Sequence, residues 1–516
     1  MSSSMLEVLE SNRSQLSSAL DPQAKVANGQ FLTPSTIAAA MADMFSVPLP
    51  NEIVLLDPGA GSGILTIAFL ERVARQSQAV ARVKVFAYEN DDFLARLLES
   101  NLHNAAVGLI DQGIELTYNV LREDFILSAS RSLVPPLLDA LKELPSFTHV
   151  IMNPPYHKLS SGSDQRTCLE RAGIQTSNLY SAFVALALPL LREGGELVAI
   201  TPRSFCNGPY FRPFRRHLLD AASFERIHVF ERRDDAFSED KVLQENIIFH
   251  LRKSRPQRRV ELSSSLGRSL ESSTTRLVPH ESIVQDGDPD LVIRIPSNES
   301  DDYVLERMTA FTNRLHDLGL QVSTGPVVDF RLRRHILDQP DRDSVPLIYS
   351  AHFVDQHVEW PIESAKKPNA IACNERTRRW LYPNSCYVLT RRFSSKEEKR
   401  RIYPALFSPI EDYDWIGFEN HVNVVKSPDN DLYPTTAFGM VSYLSSKIVD
   451  LFFRQFSGHT QVNAADLRLL PVPPSSTLSE LANYFDGKKV DTQAVDAHLE
   501  YLFKIKYGIT SPNPAG

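Results

Sequence analysis

The chain has 516 residues, 42% of them hydrophobic and 23% charged, with a formal net charge of -8 at pH 7. That balance belongs to a globular protein of about two to four domains. It excludes disordered and collagen-like classes and argues against a simple nucleic-acid binder with a basic footprint over its whole surface. Cys168, Cys206, Cys373 and Cys386 are scattered without a CxxC pair, so neither a disulfide framework nor a metal cluster is expected, and a reducing cytoplasm fits best.

The N-terminus lacks the basic and apolar regions of a signal peptide, and the longest apolar run, 182–191, is too short to span a bilayer. Asn28-Gly29 signals a turn. Gln30, Phe31, Leu32, Thr33 and Pro34 follow, and Pro34 opens an apolar-periodic helix.

Residues 53–56 form a continuous apolar run, as in a buried parallel strand, which Asp57 ends. Gly59, Gly61 and Gly63 then turn the chain into a helix. Strand, glycine loop and helix form a nucleotide-type binding unit, spaced GxGxG rather than the dinucleotide GxGxxG. A second strand ends at Glu89 and Asn90, where an acid is placed to accept hydrogen bonds from ribose hydroxyls. A third strand is expected to end at Asp124 and Phe125, placed to pair with an adenine amino group and pack on its ring. A helix is expected over 135–144.

The fourth strand, 148–152, runs into Asn153-Pro154-Pro155-Tyr156. Two prolines remove two backbone donors and fix the corner rigidly. Asn153 offers a side-chain carbonyl, Pro154 a backbone carbonyl and Tyr156 a flat ring, a set suited to gripping the amino group of a planar heterocycle. An apolar helix follows, expected to stop at Gly194-Gly195. A fifth strand, a helix carrying Arg212, Arg215 and Arg216, and two more strands complete a doubly wound seven-stranded α/β domain over 1–255. Phe237, in the polar loop between the last two strands, fits two roles equally: a lid anchored to the core, or a ring that stacks on a ligand base.

Residues 256–290 are polar and Ser-rich, as in a linker or an excursion. From 291 to 516 a mixed α+β domain is expected. Basic-aromatic clusters recur there, at 330–335 (with Arg331, Arg333 and Arg334), at 376–380 (with Arg378 and Arg379), at 391–393 and at 399–403. Their concentration in one half suggests backbone-phosphate contact. Near the end, His459, Gln461 and Asn463 offer groups that read base edges, although Asn463 reads equally well as a capped helix start.

Together these residues resemble the gamma-class N6-adenine DNA methyltransferases of the Eco57I, TaqI and BsuBI/PstI type. Gln30 to Pro34 is similar to the family's N-terminal cofactor motif, Asp57 to Gly63 to its S-adenosylmethionine loop, and Asn153 to Tyr156 to its catalytic motif. Gly59-Ala60 stands where members often have Ala-Cys; both pairs are small. The resemblance implies methyl transfer from S-adenosylmethionine to N6 of an adenine flipped out of duplex DNA, without a metal, within a restriction-modification system. It also implies a recognition domain in the second half, and any cognate endonuclease is expected to be a separate chain, since little sequence precedes Gln30. Competing readings are a protein-glutamine or RNA-adenine methyltransferase, or a non-catalytic DNA-binding subunit of the same fold.

Overall fold

A computed structural model describes every residue except 1–3, 12–31, 77–79, 135–143, 231–244, 254–257, 266–273, 286, 297, 364–366, 395–397, 458–460, 486–489 and 511–516. Gln30, Phe31, Phe237, His459 and most of the helix expected over 135–144 therefore lie outside the described residues. The chain divides into two compact units, Met1–Ser297 and Asn298–Gly516. Among the described residues no helix is long and apolar enough to cross a membrane.

The first unit is built on a nine-stranded sheet in the order β3-β2-β1-β4-β5-β7-β6-β8-β9. Here β1 is Glu52–Asp57, β2 Arg82–Tyr88, β3 Glu115–Leu121, β4 Phe147–Met152, β5 Leu191–Pro202, β6 Ser223–Phe230, β7 Asn246–Arg252, β8 Arg259–Ser265 and β9 Thr274–Pro279. The first five strands are parallel, and β7 runs antiparallel between β5 and β6. Every residue of β4 is buried, as expected with helices on both faces, and its two polar members are satisfied: Thr148 Oγ1 accepts from Val54 N at 2.9 Å and lies 2.8 Å from His149 Nδ1. Leu56, Val150 and Met152 join one apolar cluster; Leu55, Ile151 and Val198 join the other. Strand order reverses between β1 and β4, which opens a crevice at the carboxyl ends of the parallel strands.

Three expectations change. Residues 256–290 are not a linker: β8 and β9 extend the sheet. Val260 and Leu262 supply the buried side of β8, while Ser263 and Ser265 bond the ring of the buried His228 at 2.8 and 3.0 Å. Serines that satisfy a buried imidazole look like low-complexity sequence when read alone. The apolar helix Leu179–Leu190 contains Pro189 and stops at Leu190, not at Gly194-Gly195; those glycines lie within β5, where a Cβ on Gly195 would come 2.9 Å from the Arg192 carbonyl. Finally, β3 ends at Leu121, and Asp124 instead caps the helix Phe125–Leu133.

Arg215 is fully buried. Its guanidinium donates to the carbonyls of Phe205 (3.0 Å), Asn207 (2.8 Å) and Asp290 (2.7 Å), which fixes the segment after β5.

The second unit holds two sheets. In one, Tyr387–Arg391 lies between Val422–Lys426 and Pro404–Phe407; in the other, Ser344–Ile348 lies between Ala370–Ala372 and Trp415–Phe418. Helices pack beside them. Pro434–Leu444 crosses Ser475–Tyr484 so closely that a Cβ on Gly439 would fall 2.0 Å from the Leu478 carbonyl.

Candidate active site

Four parallel strands deliver the site. Asp57 ends β1 and is buried. Its Oδ2 accepts from the Thr66 hydroxyl at 2.7 Å, on the helix that the glycine loop opens. Its Oδ1 is buried without a hydrogen bond of normal geometry among the described residues. Burial raises the carboxyl to a pKa of about 7, the Thr66 hydroxyl and backbone N–H groups counter the rise, and the Glu89 charge adds to it.

The glycine loop is held by its neighbours. Ala60 N donates to the Tyr88 carbonyl at 2.9 Å and Gly61 N to Glu89 Oε2 at 2.8 Å. Gly61 and Gly63 have φ of 56° and 91°, a region that L side chains rarely enter. Glu89, just past β2, also accepts from Asp91 N at 2.8 Å, and burial raises its pKa. Both its oxygens thus support backbone while the residue faces the crevice.

Asp124 Oδ1 accepts from Leu127 N at 3.0 Å and caps the helix that Phe125 begins. Its Oδ2 accepts from Gln165 Nε2 at 2.6 Å. The Phe125 ring meets Tyr88 edge-on at 5.1 Å and Phe183 at 5.2 Å.

At the end of β4, Asn153 Nδ2 donates to Thr33 Oγ1 at 3.0 Å. Asn153 Oδ1 accepts from the Tyr156 hydroxyl at 3.0 Å, and the Tyr156 ring packs against the apolar clusters on both faces of the sheet. Tyr156 is therefore anchored at its hydroxyl end rather than standing clear as an open plate. Pro34 precedes the helix Ser35–Asp43, which holds Thr33 in place.

These elements enclose a cavity of about 490 Å³. Of the sequence-predicted residues, Gly59, Gly61, Glu89, Asn90, Asp124 and Phe125 line it, together with Asn153 and Pro155. Asp57, Gly63, Thr33 and Tyr156 support the wall from behind. Leu94, Phe183, Gln165, His157 and Lys158 also line it and were missed. Phe183 sits in a run that reads wholly as core, and Gln165 in a stretch without periodicity. Glu89, Glu123 and Asp124 face one lysine, a lining that favours a cationic ligand. Phe125 and Phe183, packed together along one wall, offer apolar surface to a planar ring, and the loop at Gly59 and Gly61 leaves room for close backbone approach. Among the described residues, no cluster of three or more His, Cys, Asp or Glu is arranged to hold a metal ion.

In the second unit, two of the four basic-aromatic clusters meet. Arg331, Arg333, Arg334 and His335 share a cavity of about 850 Å³ with Arg376, Arg379 and Trp380. Arg331, Arg333, Arg334, Arg376 and Arg379 are exposed, and Arg379 lies 4.1 Å over the Trp380 ring. Arg378 stacks instead on Trp415 at 3.9 Å. The other two clusters are structural. Arg401 is buried and donates to the Ser457 carbonyl (3.1 Å) and to Ser394 Oγ (3.2 Å); Arg400 bonds Thr492, and Arg391 pairs with Glu398. Gln461 accepts from Arg392 at 3.1 Å, and Asn463 begins the helix Ala464–Arg468 in a capping box with Asp466, so the cap reading of Asn463 fits the geometry.

The family described as Eco57I restriction-modification methylase matches residues 73–237. Over 501 residues the chain is 41% identical to the type II methyltransferase M.BsuBI of Bacillus subtilis, covering 96% of this chain and 98% of the relative. It is 40% identical over 491 residues to the type II methyltransferase M.PstI of Providencia stuartii, covering 95% of each. Among solved structures, the type IIL restriction-modification enzyme MmeI in complex with DNA shares the fold, with a TM-score of 0.53 and 11% identity over 89% of this chain and 71% of that one.

Proposed function

Because the chain belongs to the family of type II methyltransferases that includes M.BsuBI and M.PstI, we propose that it transfers a methyl group from S-adenosylmethionine to N6 of an adenine in duplex DNA, as the modification enzyme of a restriction-modification system. The observation that carries the adenine reading is the fixed amide of Asn153. Its Nδ2 donates to Thr33, which orients Oδ1, the acceptor of the Tyr156 hydroxyl, as the acceptor end of the amide beside the cavity.

The cavity fits the cofactor on its own terms. The carboxylates suit the sulfonium and ammonium charges, the wall formed by Phe125 and Phe183 packs on the adenine ring with Asp124 accepting from its amino group, and Glu89 accepts from the ribose hydroxyls. Asp57 Oδ1 adds a buried acceptor behind the loop. Gln30, Phe31, Thr33, Pro34 and Asn90 complete the cofactor side. Bound there, S-adenosylmethionine supplies an electrophilic methyl group on a cationic sulfur.

The protein's part is positioning and preorganised acceptance. The N6 lone pair of adenine is delocalised into its ring. Asn153 Oδ1 and the Pro154 carbonyl accept from the N6 hydrogens and favour a pyramidal, more nucleophilic nitrogen. The proton leaves only after nitrogen has become cationic, so no strong base is required. An adenine inside a duplex cannot reach Asn153, so the base must leave the stack. Tyr156 then covers one face of the flipped ring, with its hydroxyl yielding Asn153 Oδ1 to the substrate. Phe237 is the candidate for the other face. Arg331, Arg333, Arg334 and Arg379, with Arg378 beside them, take the phosphates.

The test is to incubate the protein with duplex DNA and methyl-labelled cofactor, digest the DNA and identify the labelled nucleoside. N6-methyladenine is expected. Label in N4-methylcytosine would overturn the choice of base, and label in protein or RNA alone would overturn the substrate.

A further inference from the structure

Gln165 has no part in the chemistry above, yet it makes the shortest polar contact to Asp124. It lies on the helix Asp164–Arg171, in a segment that leaves the catalytic corner at His157 and returns at Asn178. The two ends of that segment are joined. Leu159 N donates to the Ser177 carbonyl at 2.9 Å, Leu179 N donates to the His157 carbonyl at 2.7 Å, and Lys158 and Asn178 form an antiparallel bridge. Ser163 caps the helix through Arg166 N at 3.3 Å. From this clamped base Gln165 Nε2 reaches Asp124 Oδ2 at 2.6 Å, and both residues face the cavity.

A carboxylate offers about four lone-pair positions. The Leu127 N–H takes one on Oδ1 and the Gln165 amide takes one on Oδ2. Both partners are donors, so they hold the carboxylate in place and leave its remaining lone pairs as acceptors toward the cavity.

We propose that Gln165 is a positioning residue that sets the base specificity of the cofactor pocket. By donating to Asp124 Oδ2 it keeps that carboxylate an acceptor, so the pocket takes a purine carrying an exocyclic amino group and rejects one carrying an oxo group there. This rests on the reading of the cavity as the S-adenosylmethionine site. An oxo purine would set two acceptors against each other and leave both unpaired out of water, the condition under which hydrogen-bonding sites discriminate most strongly.

The test compares S-adenosylhomocysteine with S-inosylhomocysteine by calorimetry on the full chain. The wild type should prefer the adenosyl compound by at least about a hundredfold. Gln165→Leu frees Asp124 Oδ2 from its donor and lets the carboxylate turn, and the preference should fall about tenfold. Gln165→Glu sets an acceptor where the donor stood, and the preference should fall likewise. An unchanged preference in both variants overturns the proposal. Asp124→Asn separates this from failure of the site reading. If that variant binds S-adenosylhomocysteine as the wild type does, the adenine does not sit at Asp124 and the site reading falls. If it binds about tenfold or more weakly while the Gln165 variants keep the wild-type preference, only the role of Gln165 falls.

Discussion

Asn153 donates its side-chain Nδ2 to Thr33 Oγ1 at 3.0 Å, joining the segment before the first long helix to the corner at the end of β4. The bond decides which end of the amide is available. With Nδ2 engaged, Oδ1 is the acceptor end; it accepts from the Tyr156 hydroxyl at 3.0 Å and, on the proposed reading, from a substrate amino group. Thr33→Val keeps the shape and removes the acceptor. The turnover number should fall by roughly tenfold or more, the loss of one buried hydrogen bond, with cofactor affinity lowered by a smaller factor because Thr33 also belongs to the cofactor side. Asn153→Ala should lower turnover at least a hundredfold without loss of cofactor binding. Steady-state kinetics with equilibrium binding separates the two effects; lost cofactor binding in Asn153→Ala would mean that the corner is misassigned.

Asp57 gives the cofactor site a pH dependence of definite sign. Burial lifts its pKa to about 7, above its ordinary value, so the folded protein holds the proton below that pH. A cationic ligand favours the ionised form, and binding it must release that proton. Affinity for S-adenosylmethionine should therefore rise with pH up to about 7, by at most tenfold per unit, and level off above it. Asp57→Asn should flatten the profile. Titration calorimetry in buffers of different ionisation enthalpy reads the proton released; no release at pH 6 would contradict the assignment.

Gly63→Ala tests the loop. At φ 91° an alanine is strained, and its Cβ would come 2.6 Å from Leu98 Cδ1. The leucine tip can shift, whereas the backbone strain stays. A stability loss of about 1–2 kcal/mol is expected, together with weaker cofactor binding. Denaturant unfolding with and without cofactor measures both; wild-type values for both would show that the loop does not need its left-handed geometry.

The basic clusters divide into two kinds, and mutation should show it. Arg333→Ala and Arg379→Ala remove exposed charges and should leave folding intact. Each should reduce the slope of log DNA affinity against log salt by about 0.9 for every phosphate that is no longer neutralised. Arg401→Ala removes a buried guanidinium together with its bonds to the Ser457 carbonyl and Ser394 Oγ, for a cost of about 3–5 kcal/mol. Fluorescence anisotropy over a salt series and thermal melts distinguish them.

Much of the first unit was legible because parallel strands buried on both faces are continuous apolar runs, and because glycine, acid and Asn-Pro-Pro-Tyr signals fall at strand ends. The features that were not legible share one cause: local composition does not record the distant partner. Ser263 and Ser265 look like linker until His228 lies over them. Arg400 and Arg401 look like a phosphate footprint until the helix Lys447–Phe456 and its flanks cover them. Phe183 looks like core, which it also is, while one edge forms the cavity wall. Gln165 carries no periodic or motif signal at all, and only the folded segment 157–178 brings it to Asp124.

Methylome sequencing measures the central claim most directly. The chain is expressed in a host that lacks its own DNA methylation, and N6-methyladenine is mapped across the genome at single-molecule resolution, beside the Asn153→Ala variant. N6-methyladenine should appear at essentially every copy of one short sequence and be absent with the variant. Unmodified adenines throughout, or modification that survives Asn153→Ala, would contradict methyl transfer to adenine at the Asn153 corner.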